Sequence, residues 1–213
     1  MRLFRKASAA PGAARPTRLH IGCGQQSIPG WINIDNQGLP GVDQVLDVRQ
    51  GLPFGEVAAI YAEHFLEHLG FEDGLEFLAE CRRVLRDDGT LRLSTPNLDW
   101  VLTTHYRWQN ITEADNREDC IRLNRAFHGW GHQFLYNRPT LASGLRAAGF
   151  ARVVFRGYGE SEVAELVGLE RHETWEDTPQ LPHVLIAEAS GQGEREALPE
   201  GLLKEFREAM GSR

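Results

Sequence analysis

The stretch RLHIGCGQQSIPGWINID, residues 18–35, decides the fold. An apolar run leads into a G-x-G turn at 22–24, and a second apolar run ends in Asp35. Glycines permit positive φ and let the backbone approach a ligand closely. The pattern is therefore typical of a strand, a cofactor-binding turn and a second strand that ends in an acid. Only residues 25–30 separate the turn from Trp31, whereas a parallel crossover normally needs a dozen or more residues.

The turn departs from the dinucleotide-binding fingerprint in three ways. Ser27 stands where a third glycine is expected, and hardly any helix follows to bind a pyrophosphate at its N-terminus. Asp35 comes 13 residues after Gly22, whereas the dinucleotide pattern places its acid about 20 residues on. Asp35 can still accept hydrogen bonds from ribose hydroxyls. The alternative is that it only forms a turn before Asn36.

Further apolar runs predict an α/β fold with a mostly parallel sheet. After the strands in 18–22 and 31–35, we expect strands over 42–48, 57–63, 90–97, 151–159 and 183–189. Helical periodicity predicts helices over 71–89, 138–150 and 198–210. Gly89 suits a left-handed end to the first of them, and Pro139 and Gly149 bracket the second.

The 213 residues suit one domain with a sizeable core. Residues 1–18 carry five basic side chains and no acid, so we expect a disordered basic leader over 1–17. The folded domain is expected over 18–190, followed by a C-terminal segment, 191–213, with the amphipathic helix. Residues 97–138 form an insert that holds seven aromatics: Trp100, Tyr106, Trp108, Phe127, Trp130, Phe134 and Tyr136.

Composition excludes several classes of function. The net charge of −7 without a basic stripe argues against nucleic-acid binding. No apolar run reaches the roughly 18 residues of a membrane span. Three scattered cysteines indicate reduced thiols and a cytoplasmic location. The G-x-S-x-G and Walker motifs are lacking, as is a Tyr followed four residues later by Lys, so hydrolase, P-loop and reductase chemistry is poorly supported.

Two histidines, His128 and His132 in HGWGH, are spaced as metal ligands on a helix would be. Gly129 and Gly131 argue against a helix there, and no acid or thiol joins them at ligand spacing. We therefore expect no metal. His68 we interpret as a packing residue.

Five motifs in order resemble a class I S-adenosylmethionine-dependent methyltransferase, specifically the compact methyltransferase type 11-like group. They are LHIGCGQQSIPGWINID, LDVRQGLPF, AEHFLEHL, RRVLRDDGTLRLSTPN and GHQFLYNRPTLASGLRAAGF, which run from about residue 19 to 150. The resemblance implies a Rossmann-like, mostly parallel seven-stranded sheet with a shortened first half and an aromatic-rich insert after the fifth strand. It also implies S-adenosylmethionine as cofactor, which has no phosphate and so does not require a helix dipole.

The resemblance assigns roles to residues at the strand ends. The glycine turn passes under the methionine and ribose, Asp35 takes the ribose hydroxyls, Asp47 and the Val48 backbone meet the adenine, and Glu63 with His64 borders the sulfonium. The implied cofactor-binding residues are Gly22, Cys23, Gly24, Asp35, Asp47, Val48, Glu63 and His64. Asp47 has a plainer interpretation as a solvated strand end. His20 departs from the pattern, because many relatives have an acid there to anchor the methionine ammonium.

Catalysis by resemblance would be methyl transfer to a small-molecule or sugar-type acceptor, at oxygen, under the aromatic insert. An oxygen acceptor calls for a general base with a pKa near neutrality, usually His. We favour His132, then His64, with His128 and His105 behind them. The alternative is that His132 only packs within the insert. A noncatalytic interaction module with the same fold is the competing hypothesis.

The short links between the first strands have a consequence for assembly. They leave one face of the sheet without helices, and large exposed apolar surfaces mark partner sites. We therefore expect a homodimer that covers this face, with help from the helix over 198–210.

Overall fold

A computed structural model of the chain describes residues 17–107, 112–171, 178, 180–198, 201, 204, 206 and 208. The predicted leader, apart from residue 17, lies outside the described residues, as do Trp108 and most of the predicted helix over 198–210. Within that helix, Lys204, Phe206 and Glu208 are helical.

The architecture is a single seven-stranded sheet with helices. In chain order the strands are β1 Arg18–Ile21, β2 Ile32–Asp35, β3 Gln44–Val45, β4 Val57–Glu63, β5 Leu85–Pro96, β6 Phe150–Arg156 and β7 Val184–Gln192. The helices are α1 Phe71–Val84, α2 Leu98–His105, α3 Glu113–His128 and α4 Arg138–Ala147. None of the described helices is long and apolar enough to cross a membrane.

The sheet order is β3-β2-β1-β4-β5-β7-β6. The pairs β2–β3, β1–β2, β1–β4 and β4–β5 are parallel, and β7 runs antiparallel to both of its neighbours. The predicted Rossmann-like, mostly parallel seven-stranded sheet is confirmed. Parallel strands bring their carboxyl ends to one edge, where ligands bind in open α/β sheets.

The β1–β2 link is held by a side chain instead of a helix. Asn33 Nδ2 donates to the carbonyl oxygens of Ile28 and Trp31, at 3.3 and 3.2 Å, and Ile28 N donates back to Asn33 Oδ1 at 2.7 Å. Cys23 N donates to the Ile34 carbonyl at 3.1 Å. These bonds satisfy the backbone of the short link, so the strands can pair in parallel without a full crossover helix.

One side of the sheet, here called the helical face, packs against α1 and α4. Successive strand side chains point to opposite faces, and on this face they are apolar. Leu19, Ile60 and Leu91 are fully buried beneath Leu78 of α1 and Leu145 of α4. The main hydrophobic core of the protein lies here.

The other side, here called the loop face, is covered by residues 157–171, which follow β6 and form little regular structure. Leu166 of this segment packs on Trp31 and Tyr61 in a small apolar cluster. Arg92 of β5, fully buried, donates to Glu170 at 2.6 Å. The face expected to remain uncovered is therefore covered within the chain, so the reason for expecting a homodimer falls away and the dimer itself stays a prediction.

Several predicted element boundaries are wrong: β5 starts at Leu85 and not at residue 90, and β7 runs to Gln192 and not to residue 189. Helix α1 ends at Val84, five residues before Gly89, because Leu85 already pairs with Val57 and starts β5. A Cβ on Gly89 would lie 2.8 Å from the Val57 carbonyl oxygen, so this glycine permits a close strand approach and does not cap the helix. The third strand, predicted over 42–48, is only Gln44–Val45.

The insert between β5 and α4 is mainly two helices. Thr112 begins α3 with a capping box, its side chain and that of Asp115 each accepting from the other's backbone N–H. Arg107 bonds Asp119 of α3, so the α2–α3 connection is tied to the helix. The aromatic residues of the insert do not form one cluster. Phe134 stacks on Phe71 at 4.7 Å and packs against the main core.

Candidate active site

The ends of four parallel strands surround a cavity of about 490 Å³. Its wall is lined by residues from the β1, β2, β3 and β4 carboxyl ends and from the stretch after α3. They are Ile21, Gly22, Ile34, Asp35, Asn36, Gln37, Leu46, Asp47, Val48, Arg49, His64, Phe65, His68, Leu69, Trp130 and Gln133. Five predicted site residues therefore meet in one cavity: Gly22, Asp35, Asp47, Val48 and His64.

The glycine turn is built for close backbone approach. Gly22 and Gly24 have φ of 65° and 53°, which favours glycine. A Cβ on Gly22 would lie 2.4 Å from the Phe65 ring, so a side chain there would clash. Gly24 N donates to Asp35 Oδ2 at 2.9 Å, which ties the turn to the end of β2.

Asp35 combines the two interpretations of its role. Its Oδ1 accepts from Gln37 N at 3.0 Å, as a turn-former would, and the residue also lines the cavity. A carboxylate oxygen has more than one lone pair. Asp35 can therefore hold the turn and still accept from a ligand hydroxyl.

Asp47 lies at the start of a 3₁₀ turn, Val48–Gln50, directly after β3. It accepts from Arg49 Nε at 2.9 Å and from Arg49 Nη2 at 2.7 Å. These side-chain bonds, followed by the Arg49 backbone N–H, hold the pKa of Asp47 below its ordinary value. Asp47 is thus kept as an anionic acceptor at the cavity, and Val48 beside it is buried.

Three predicted cofactor contacts lie outside the cavity wall: Cys23, Gly24 and Glu63. Cys23 is buried, and burial raises the pKa of its thiol, which contacts the Gly24 carbonyl. Glu63 accepts from Arg171 Nε at 2.9 Å and from Arg171 N at 2.7 Å. These three residues therefore do not line the cavity, and the bonds of Gly24 and Glu63 hold the turn and the end of β4.

Arg171 is a residue that the sequence patterns missed. Besides pairing with Glu63, it donates from Nη1 to the Gln26 carbonyl at 3.2 Å, and its Nη2 lies 3.5 Å from His20 Nε2. It therefore joins the loop-face segment to the link after the glycine turn. No local pattern could indicate this, because 108 residues separate Arg171 from Glu63.

His64 lies in the cavity wall with a left-handed backbone, φ 47°. Its N–H donates to the Ser94 carbonyl, and its Nδ1 donates to Glu67 Oε1 at 3.0 Å. Burial lowers the pKa of His64, but the hydrogen bond and charge of Glu67 outweigh it and the net shift is upward. Backbone strain of this kind clusters at functional sites.

His132 does not line the cavity itself but packs against two residues that do. Its ring centroid lies 5.3 Å from that of His68 and 5.8 Å from that of Trp130, both of which line the cavity. His132 Nδ1 donates to the Ala126 carbonyl at 2.8 Å. The exposed His128 lies apart at the end of α3, so α3 does not carry both histidines and they do not share one helical face, as Gly129 and Gly131 indicated.

Two further residues escaped the sequence interpretation. Glu67, fully buried, bonds His64 and accepts from Thr95 Oγ1 at 3.0 Å. Gln133 lines the cavity and donates from Nε2 to the His68 carbonyl at 2.6 Å. His68, interpreted as a packing residue, is half-buried in the cavity wall. The repeated Glu-His pairs in AEHFLEHL are the one signal that could have drawn attention to Glu67.

Comparison with known proteins adds a family and a fold. Residues 31–93 match the model of a methyltransferase domain family. No curated protein matches the chain in sequence. Similar solved structures include a possible histamine N-methyltransferase from Thermotoga maritima, with a TM-score of 0.52 and 12% identity, covering 84% of this chain and 83% of that one.

Two other solved structures share the fold at similar distance. The CurJ carbon methyltransferase has a TM-score of 0.51 and 17% identity, covering 87% of this chain and 50% of its own. An exported protein candidate from Bordetella parapertussis has a TM-score of 0.51 and 13% identity, covering 84% and 63%. Residues 31–93 are thus similar to a methyltransferase domain family, and the chain shares its fold with these solved structures.

Proposed function

We propose that the chain transfers the methyl group of S-adenosylmethionine to an oxygen of a small-molecule or sugar-type acceptor. The observation that carries the proposal is the 490 Å³ cavity, in which Gly22, Asp35, Asp47 and His64 meet at the carboxyl edge of the sheet. This is the edge at which open α/β folds bind their ligands.

The cofactor would lie along the strand ends in the order of its parts. The backbone of Gly22 lies beside the methionine and ribose portions, Asp35 accepts from the ribose hydroxyls, and Asp47 with the Val48 backbone contacts the adenine. The position of Asp47 in the cavity wall supports its role as an acceptor. Cys23, Gly24 and Glu63 act from behind, by fixing the turn and the end of β4.

Methyl transfer is an in-line displacement at the sulfonium carbon. The acceptor oxygen forms a bond to that carbon, the carbon–sulfur bond breaks, and its electron pair stays on sulfur as S-adenosylhomocysteine forms. The main contribution of the protein is to hold acceptor and cofactor aligned. The acceptor's proton leaves to a base.

The two candidate bases, His132 and His64, are supported differently. The Ala126 carbonyl can only accept, so Nδ1 of His132 carries the proton and Nε2 keeps a lone pair. His64 lines the cavity itself, and its Nδ1 is held by Glu67. By position His64 is the better placed of the two, although the sequence favoured His132.

Trp130 supports a ring-containing acceptor. It lines the cavity, its side chain is 69% exposed, and its φ of 58° is rare for a bulky residue. Arg125 lies 5.2 Å from its ring centroid, which holds the ring from one side. An exposed aromatic face suits stacking with a sugar or aromatic ring.

Cofactor binding tests the proposal without knowledge of the acceptor. Titration calorimetry with S-adenosylhomocysteine should give one site, and NAD should not bind. Asp35→Asn should weaken S-adenosylhomocysteine about 10–150-fold, because hydrogen bonds to charged groups contribute about 1.5–3 kcal/mol. Asp88→Asn changes an exposed acid of β5. It is the matched control and should bind as wild type.

Unchanged affinity in a folded Asp35→Asn variant contradicts the assigned site. Binding of S-adenosylhomocysteine without methyl transfer to any of a panel of sugars and phenols would favour the alternative, a noncatalytic module that retains the cofactor site.

A further inference from the structure

Three metal-ligating side chains converge beside the cavity: Glu67, His68 and His132. One ligand atom from each lies within 4.8 Å of the other two. Glu67 and His68 belong to a 3₁₀ turn, Leu66–His68, after β4, and His132 follows α3. The cluster therefore joins two segments that are far apart in sequence.

Main-chain bonds hold these segments together. Gln133 N and Phe134 N both donate to the Glu67 carbonyl, at 2.7 and 3.2 Å, and Gln133 Nε2 donates to the His68 carbonyl at 2.6 Å. The residue after His132 is thus fixed against the two residues that carry the other ligands. The backbone positions of the three residues are therefore set by the fold.

His132 has the orientation of a metal ligand. Its Nδ1–H donates to the Ala126 carbonyl, so the lone pair is on Nε2. Metal-ligating histidines almost always donate their other ring N–H to a carbonyl or carboxylate, which fixes the tautomer and the ring. The His68 ring meets the His132 ring edge to face at 5.3 Å.

Glu67 supplies a buried carboxylate. Its carboxylate is fully buried, and burying an unpaired charge is costly. Within the described part of the chain, it bonds the Thr95 hydroxyl and His64, and no Lys or Arg forms an ion pair with it. Each carboxylate oxygen keeps a lone pair beyond these bonds, so a cation can be accommodated.

We propose that Glu67, His68 and His132 bind a divalent transition-metal ion of the Zn²⁺ class, which holds the acceptor oxygen next to the methyl donor. Two imidazoles and one carboxylate are a ligand set of catalytic zinc sites, which keep one position open. Imidazoles favour such ions over Mg²⁺ or Ca²⁺. The open position would face the cavity, since His68 lines it.

This inference rests on the proposed function and changes its chemistry. A metal ion lowers the pKa of a bound hydroxyl. The acceptor hydroxyl would release its proton to water, its oxygen would attack the methyl carbon, and the carbon–sulfur electron pair would stay on sulfur. His132 would then act as a ligand and not as the base.

The test uses tag-free, chelator-treated full chain carrying Cys120→Ser, which removes the exposed thiol. Calorimetry with ZnCl₂ should give one ion per chain, and CoCl₂ should produce the visible absorption bands of a low-coordinate N/O site. His132→Gln should weaken Co²⁺ binding at least about 100-fold, the upper end of what loss of an outer-shell partner costs. Glu67→Gln should do the same. His128→Gln changes an exposed histidine outside the cluster; it is the matched control and should bind as the parent.

Circular dichroism of each variant checks the fold. If His132→Gln is folded and binds Co²⁺ as tightly as His128→Gln, the metal site is overturned. The same holds if the parent chain binds neither ion. S-adenosylhomocysteine binding by the metal-free chain is measured in parallel, and its persistence in that case leaves the proposed methyltransferase function intact, so the two failures are distinguishable.

Discussion

The two faces of the sheet are stabilised by different physics. On the helical face, apolar strand residues alternate into a core covered by α1 and α4. On the loop face, the same strands present His20, Tyr61 and Arg92, covered by residues 157–171. An apolar core tolerates changes in the exact shapes of its side chains. Buried charges, in contrast, are stable only when every partner is in place. The cavity at the carboxyl edge of the sheet lies where the two faces meet.

The largest effect on stability is expected from a substitution on the loop face. Arg92 bonds Glu170 at 2.6 Å and Glu188 at 2.7 Å, with all three side chains buried. Arg92→Met should destabilise the chain by about 3–5 kcal/mol in urea unfolding, because it leaves buried carboxylates uncompensated.

The double variant Arg92→Met with Glu170→Met separates charge from packing. It should recover a large part of the loss, since replacement of a whole buried pair by apolar residues is often neutral. A loss of under 1 kcal/mol in Arg92→Met would show that the loop face does not depend on its ion network.

A somewhat smaller effect is expected on the helical face. Leu78 of α1 is fully buried in the main core. Leu78→Ala should cost about 2–5 kcal/mol from lost transfer free energy and the cavity left behind. Leu78→Met, which nearly conserves volume, is the control and should cost less than about 1.5 kcal/mol. The loss from Leu78→Ala should not depend on pH between 4 and 7.

The smallest effect is a pH dependence confined to the loop face. Burial is the main cause that lowers the pKa of His20 to about 4; Arg171 adds to it, while the hydrogen bond of Asn33 and the charges of Glu63 and Asp35 oppose it. The unfolded chain, with a His pKa of about 6.5, binds more protons between these values. Stability from neutral His20 is therefore complete above pH 6.5 and is lost as pH falls toward 4, by about 3 kcal/mol.

The measurement compares urea unfolding of wild type and His20→Gln at several pH values across this window. Other titrating groups contribute to both proteins, so the difference isolates His20. Parallel pH profiles for the two proteins would contradict the burial of a neutral His20.

Much of the candidate site was predictable from sequence. Gly22, Asp35, Asp47 and His64 each follow an apolar run, and parallel strands bring such ends together. The predictions that failed concern the ends of helices and strands and the covering of one face of the sheet. Helix α1 stops at Val84 because pairing with Val57 competes with helical periodicity. The loop face is covered because an irregular segment, which has no periodic pattern, packs on it.

By itself, the sequence determined the α/β alternation, the helix-less turn, the acid that ends β2 and the acid shortly after β3, because each depends on residues close in the chain. Only the tertiary structure decided the partners. Gln133 meets His68 across 65 residues, Arg92 meets Glu170 across 78, and Arg171 meets Glu63 across 108. Periodicity indicates which face a side chain occupies, but the pairing of distant polar groups depends on how the segments pack, and that placed Glu67, His68 and His132 together.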